Sequence, residues 1–267
     1  MENIIFSDAD IWKEYDLSGA GCAHWKIGPL KLWVCSLERE FDLLYKYSSD
    51  HEDRDVQTQI PYLGPMPEEG ESVRYGIRNR CNKIIFAPAM PNRSVIVRPE
   101  KPFFVLEHDV STLYVTTGLW LHATCRDLNK TIFTIPIVRL KGTWFGDDPT
   151  SGEICYAAKT KGQLKFNEVL VYHYRFMTKI KIINNTGVPL KLERVKLAIP
   201  YLNLYKNQNN FFVTDHVTIK KDRENKDIHV WFERPKDEDF GPLQLVMASQ
   251  KKHEKGIFEK TLAQIIG

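Results

Sequence analysis

The chain has 267 residues, enough for one large domain or two modest ones. Apolar residues make up 43% and charged residues 27%, which excludes a disordered chain, and a net charge of +3 is too mild to mark a nucleic-acid binder. The first twenty residues open with acids and lack a basic start and a long apolar core, so no secretory signal is read there. The mid-chain run 110–125, free of Lys, Arg, Asp and Glu, is too short and too threonine-rich to span a bilayer. A soluble, cytoplasmic protein with no transmembrane segment is expected.

In chain order, Ser7-Asp8-Ala9-Asp10 offers capping residues for a short helix. In "PLKLWVCSL", Leu30, Leu32 and Val34 share one face, and Lys31, Trp33 and Cys35 share the other. "REFDLLYKYS" alternates in the same way, and Glu38-Arg39-Glu40 between them reads as a hairpin connection. The proline, glycine and acid-rich stretch 60–72 reads as a loop. "NKIIFAP", "RSVIVRP" and "PFFVLEHD" are short apolar segments cut by proline, which lacks the backbone donor and favours strand ends. In "STLYVTTGLWLHATC", Leu113, Val115, Thr117, Leu119, Leu121 and Ala123 fall on one face, whereas "KTIFTIPIVRLKG" is apolar on both, as for a strand covered on each side.

"YHYRFMTKIKIINN" sets Phe176, Thr178, Ile180 and Ile182 against Met177, Lys179 and Lys181. Asn184-Asn185-Thr186-Gly187 then reads as a hairpin turn, with "VPLKLERVKLAIP" as the return strand. Leu190 and Leu192 are out of phase with Val195, Leu197 and Ile199, which marks either a bulge near Glu193-Arg194 or a strand leaving one sheet for another. "FFVTDHVTIKK" and "DIHVWFERP" read as a further hairpin, and "KGIFEKTLAQIIG" as a short C-terminal helix. The fold class is therefore all-β: two β-sandwich-like lobes of mostly antiparallel strands with a short C-terminal helix. The expected division is an N-terminal lobe over 1–142, a connecting segment over 143–162, and a C-terminal lobe over 163–267.

The segments "IPIVRLKGTWFGDDPTSGEICYAAKT" and "KIKIINNTGVPLKLERVKLAIPYLNLY" resemble a prokaryotic family catalogued as domain of unknown function 432. The residues that carry the resemblance are Arg139-Leu140, Thr143-Trp144-Phe145-Gly146, Pro149-Thr150, Gly152-Glu153, Cys155-Tyr156 and Leu192-Glu193-Arg194. It covers about 95–205, with "VRPEKPFFVLEHDVSTLYVTTGLWL" fitting more loosely. The resemblance implies a prokaryotic protein and supplies no activity to transfer. This chain departs from the family pattern in carrying two adjacent acids, Asp147 and Asp148, which argues against a rigid catalytic geometry there.

The chemistry-bearing residues gather around 139–155. Asp147, Asp148 and Glu153 beside Arg139 could act as a general acid/base set on a sugar or phosphate, since glycoside hydrolysis needs two carboxyls across one bond. Ordinary turn chemistry explains the same residues. No EF-hand spacing supports calcium, and no HxH, HxxxH or CxxC pattern supports a transition metal. Cys155 would need a histidine to become a nucleophile, with His122 and His173 on predicted strands as candidates. The five cysteines, odd in number and scattered, read as reduced thiols, several of them buried. Cys22 and His24 would share one strand face, half a metal site at most. Phosphate-loop and dinucleotide fingerprints are absent.

The sequence thus points to a binding or scaffolding module, with Arg139, Trp144, Asp147, Asp148 and Glu153 as candidate binding residues. No catalytic residue, metal or cofactor is assigned. The expected partner is a protein or a small-molecule ligand, and no nucleic acid. Two alternatives stand beside it: a hydrolase using Asp147, Asp148 and Glu153, and a regulatory partner recruited through the tail 251–267.

Overall fold

The computed structural model describes residues 10–99, 101–146, 152–159, 162–170, 172–222 and 228–252. The fold is nearly all-β, with one four-residue helix, and among the described residues no helix is long and apolar enough to cross a membrane. The expected helix start at 7–10 falls mostly, and the C-terminal helix wholly, outside the described residues.

Two compact units are present: unit one is Met1–Ala89 with Gly118–Arg139, and unit two is Met90–Thr117 with Leu140–Gly267. The chain therefore passes between them three times, where the expected division had each lobe continuous in sequence. It first lays down β1 (Glu14–Asp16), β2 (Cys22–Ile27), β3 (Leu30–Ser36), β4 (Glu40–Tyr47), β5 (Val56–Gln59), β6 (Glu71–Gly76) and β7 (Lys83–Ala89) in unit one. It enters unit two for β8 (Val95–Arg98), β9 (Phe103–Val105) and β10 (Asp109–Gly118), then returns to unit one for β11 (Trp120–Cys125) and β12 (Lys130–Pro136). The rest belongs to unit two: β13 (Lys141–Phe145), β14 (Glu153–Lys159), β15 (Arg175–Asn185), β16 (Leu190–Leu192), β17 (Val195–Leu197), β18 (Leu204–Asn207), β19 (Phe212–Thr214), β20 (His216–Asp222), β21 (Ile228–Glu233), α1 (Asp237–Phe240) and β22 (Leu243–Met247).

Unit one packs a five-stranded antiparallel sheet, β5-β2-β3-β4-β6, on a four-stranded one, β1-β7-β11-β12. The inward residues of each strand make the core, as period-2 alternation requires. Trp25 of the first sheet meets Tyr15 and Phe86 of the second, with ring centroids 5.3 and 4.9 Å away, and Phe41 meets Phe133 at 6.4 Å. The β3–β4 hairpin forms as its alternation predicts, with Leu32 opposite Tyr45 and Val34 opposite Leu43. The segment "KTIFTIPIVRLKG" differs: β12 alternates between exposed and buried positions, so it is covered on one face only. The strand pairs with β11 and ends the sheet, and Thr131 and Thr134 stay exposed on it beside His122.

Two disulfides correct the expectation of reduced thiols: Cys22–Cys35 and Cys81–Cys125, with Cys155 alone left free and buried. Cys22 and Cys35 stand directly opposite each other on β2 and β3. Sequence spacing does not display such a register, which only pairing brings about.

Unit two holds three sheets: a seven-stranded mixed sheet with β15 at its centre, the four-stranded β13-β14-β8-β17, and the two-stranded β16-β9. Phe176, Thr178, Ile180 and Ile182 of β15 are buried as the alternation predicts, and Met177 is covered on the other face by Tyr205, Phe211, Val213 and Leu243. The expected return hairpin does not form. The turn is there, with Asn184 Oδ1 accepting from the Thr186 N–H and hydroxyl. Beyond it, Leu190–Leu192 pairs with β9 and Val195–Leu197 with β8. The phase slip at Glu193-Arg194 is the point where the strand leaves one sheet for another. Asn184 itself, fully buried, reaches the carbonyls of Val105, Leu106 and Val188 with its amide and so ties β15 to the two-stranded sheet.

The neighbours of β15 are β10 and the nearly continuous run β19–β20, both halves of which lie parallel to it. The register shifts by one residue at Asp215: Met177 faces Val213, but Ile180 faces Val217. Buried Asp215 accepts from Asn203 N and Nδ2, both 2.7 Å, and from the Tyr205 hydroxyl at 3.0 Å. This anchor lets the run pair with β18 before Asp215 and with β21 after it. The β20–β21 hairpin matches the sequence reading, with Val217 opposite Phe232 and Ile219 opposite Val230.

Candidate functional site

The stretch expected as a connector carries two strands of unit two. β13 and β14 pair antiparallel, with Thr143 opposite Cys155, Trp144 opposite Ile154 and Phe145 opposite Glu153. Alternation then separates two chemistries onto two faces of the hairpin. One face presents Trp144 and Ile154, 45% and 58% exposed. The Trp144 ring lies so close to Gly152 that a methyl there would sit 2.5 Å from it, which is why glycine stands at the start of β14. β13 is the end strand of its sheet, so its outward backbone groups have no strand partner among the described residues.

The other face is closed. Ile96, Phe145 and Cys155 form a small apolar cluster. Lys196, directly opposite Ile96 on β17, is only 4% exposed and places its ammonium 3.1 Å from Glu153 Oε1. The same ammonium lies 5.6 Å from the Phe145 ring centre, and the Arg194 guanidinium 4.9 Å from it. A buried lysine needs such partners, because an unpaired charge removed from water is strongly unfavourable. Burial pushes the Glu153 carboxyl up, but the Lys196 charge and hydrogen bonds from Lys196, Cys155 and Ser94 outweigh it and hold the group below its ordinary range. The Cys155 thiol donates to Glu153 Oε1 at 3.3 Å, and burial followed by the Glu153 charge pushes it up to about 12.

These environments decide what the residues do. Glu153 is a fixed anion, a poor donor of a proton to a leaving group. Cys155 stays a neutral thiol, the opposite of an activated nucleophile. Of its candidate histidine partners, His122 belongs to unit one and bonds Thr134 Oγ1 at 2.8 Å and Thr131 Oγ1 at 3.3 Å, while His173 is half-buried in unit two.

Of the five candidate binding residues, the structure brings Trp144 and Glu153 onto one hairpin but onto opposite faces. Arg139 belongs to unit one, where it pairs with Glu71 at 3.4 Å and lies over the Tyr47 ring. Asp147 and Asp148, like most of the tail 251–267, lie outside the described residues. The alternation of "ERVKLAIP" puts Lys196 opposite to Val195 and Leu197, and outward is the natural reading for a lysine. Only the pairing of β17 with β8 buries it beside Glu153. Among the described residues one group of potential metal donors converges, Cys81, Cys125 and Asp127. Its thiols are joined to each other, and Asp127 accepts from the Asn82 and Lys83 N–H groups.

No curated protein and no solved structure matches the chain. The family described as "Protein of unknown function (DUF432)" matches residues 11–266. That span takes in the N-terminal strands of unit one as well as the whole hairpin region, and it places the chain in the DUF432 family.

Proposed function

We propose that the protein is a binding or scaffolding module whose contact surface is the open face and free edge of the β13–β14 hairpin. The observation that carries this reading is the directly opposed, exposed pair Trp144 and Ile154 on an end strand. Such an edge can accept an extended segment of a partner by main-chain pairing, with the exposed apolar side chains supplying specificity. The Glu153–Lys196 pair on the opposite face ties the hairpin to β17. The hydrolase alternative is disfavoured, since Glu153 is held charged and engaged by Lys196.

A cytoplasmic setting belongs to the proposal with a condition: the host must tolerate disulfides inside the cell, as hyperthermophiles do. The test is affinity purification from the native host with the wild type, Trp144→Ser, Ile154→Ser and Thr143→Pro. A partner retained by the wild type and depleted about tenfold or more by each variant is expected. Equal recovery across all four proteins would remove the hairpin as the contact surface.

A further inference from the structure

The outward face of the unit-one sheet carries an arrangement that sheets ordinarily avoid. Lys26 on β2 stands directly opposite Lys31 on β3, and Lys31 directly opposite Lys46 on β4. Like charges opposed across strands are destabilising. Two carboxylates come to the row, and both form ion pairs with Lys26, Asp53 at 2.9 Å and Asp55 at 2.8 Å, with the Lys31 charge also acting on Asp53 from farther off. Among the described residues no carboxylate lies within ion-pair distance of Lys31 or Lys46. The Lys46 ammonium instead sits 5.7 Å from the Trp33 ring centre.

The adjacent row sets an aromatic pair beside the lysines. His24 stands opposite Trp33, with ring centroids 4.6 Å apart, and the Tyr62 ring lies 5.4 Å from that of His24. Trp33 is 5% exposed and its indole N–H has no hydrogen-bond partner; neither ring nitrogen of His24 has one. Burial, and secondarily the Lys31 charge, keep the His24 ring neutral at neutral pH, so the ring retains one N–H and does not add to the repulsion.

We propose that this face binds a small oxyanion of the phosphate class, held by Lys31 and Lys46 beside the His24–Trp33 pair. The anion relieves the lysine–lysine repulsion and accepts charge-assisted hydrogen bonds from both ammonium groups. Lys26 is the structural member of the row, neutralised by the loop that carries Asp53 and Asp55. Lys31 and Lys46 are the binding members. This site lies in unit one and is independent of the hairpin proposed above as a partner surface.

The test titrates the full chain with inorganic phosphate and, separately, with glycerol 3-phosphate, in chloride buffers of constant ionic strength, and follows 31P line width and thermal midpoint. Saturable binding is expected for the wild type and for the control Lys130→Met, which changes an exposed lysine of the same unit. Lys31→Met and Lys46→Met are each expected to weaken binding about tenfold or more. In chloride alone both are expected to melt no lower than the wild type, because each removes one of two opposed charges. Binding of both compounds assigns the site to a phosphomonoester, and binding of inorganic phosphate alone to the free ion. Non-saturable titrations, or equal affinity in the two lysine variants and the control, would overturn the site.

Discussion

Unit one encloses an almost wholly apolar core between two antiparallel sheets and adds two disulfides. Unit two joins three sheets and includes parallel pairings of β8 with β14 and of β15 with β19 and β20, and it has no disulfide among its described residues. Among the described residues its buried polar side chains are Thr117, Thr178, Asn184, Lys196, Thr214 and Asp215, against Ser36 in unit one. The contrast follows from connectivity. The first sheet of unit one is built largely from strands close in sequence, so register is set locally by short turns. Unit two has local hairpins as well, but the pairings of β8 with β14 and β17, of β9 with β16 and of β15 with the β19–β20 run join distant parts of the chain, where apolar side chains of similar shape would permit several registers. Asn184, Asp215 and the Glu153–Lys196 pair have partners in one register only. Buried polar groups confer such specificity because every alternative leaves them unsatisfied.

The largest expected effect breaks the comparison on the covalent side. Replacing Cys81 and Cys125 by alanine opens a crosslink of sequence separation 44, and replacing Cys22 and Cys35 opens one of 13. Loop-closure entropy puts the losses at about 4 and 3 kcal/mol. Calorimetry should show the unit-one transition falling in both, and under reductant, while the unit-two transition stays in place. A unit-two transition that moved equally would mean that the two units do not unfold separately.

Next comes the polar side. Glu153→Gln removes the counter-charge that Glu153 gives the buried ammonium of Lys196 and should destabilise unit two by about 3 kcal/mol, while Glu153→Leu combined with Lys196→Met should cost far less. Denaturant melts of the three proteins distinguish these outcomes. The same pair sets a pH dependence. The Glu153 pKa is lowered in the fold from its ordinary 4.5, so its contribution is complete above that value and is lost as pH falls through the lower folded one. Acid melts of unit two should show this loss in the wild type and not in Glu153→Gln.

A smaller effect tests the hairpin itself. Gly152→Ala should displace the Trp144 ring, alter its fluorescence and destabilise unit two by about 1 to 2 kcal/mol. Smallest of all, Arg74→Ala removes the exposed ion pairs with Glu40 and Asp42 and should leave the unit-one thermal midpoint nearly unchanged.

How legible was all this in the sequence? The β3–β4 and β20–β21 hairpins could be read from alternation around a short polar turn, since both strands lie within one window. Asn184-Asn185-Thr186-Gly187 could be read as a turn, but not the destination of the strand after it. The phase slip at Glu193-Arg194 held that information in ambiguous form, because a bulge and a change of sheet produce the same pattern. Of the candidate site, Trp144 and Glu153 were visible as residue types. Their assignment to opposite faces follows only from the β13–β14 register, and the partnership of Glu153 with Lys196 only from the stacking of β14, β8 and β17.

By itself, then, the sequence determined the all-β class, the inward face of most strands and the places where the chain turns, because these depend on side-chain periodicity and backbone preferences within a few residues. Tertiary structure decided which cysteines join, which lysine is buried and which row of lysines is left without counter-charges. Those outcomes depend on which strands lie side by side, and strand pairing is settled by packing between segments far apart in the chain.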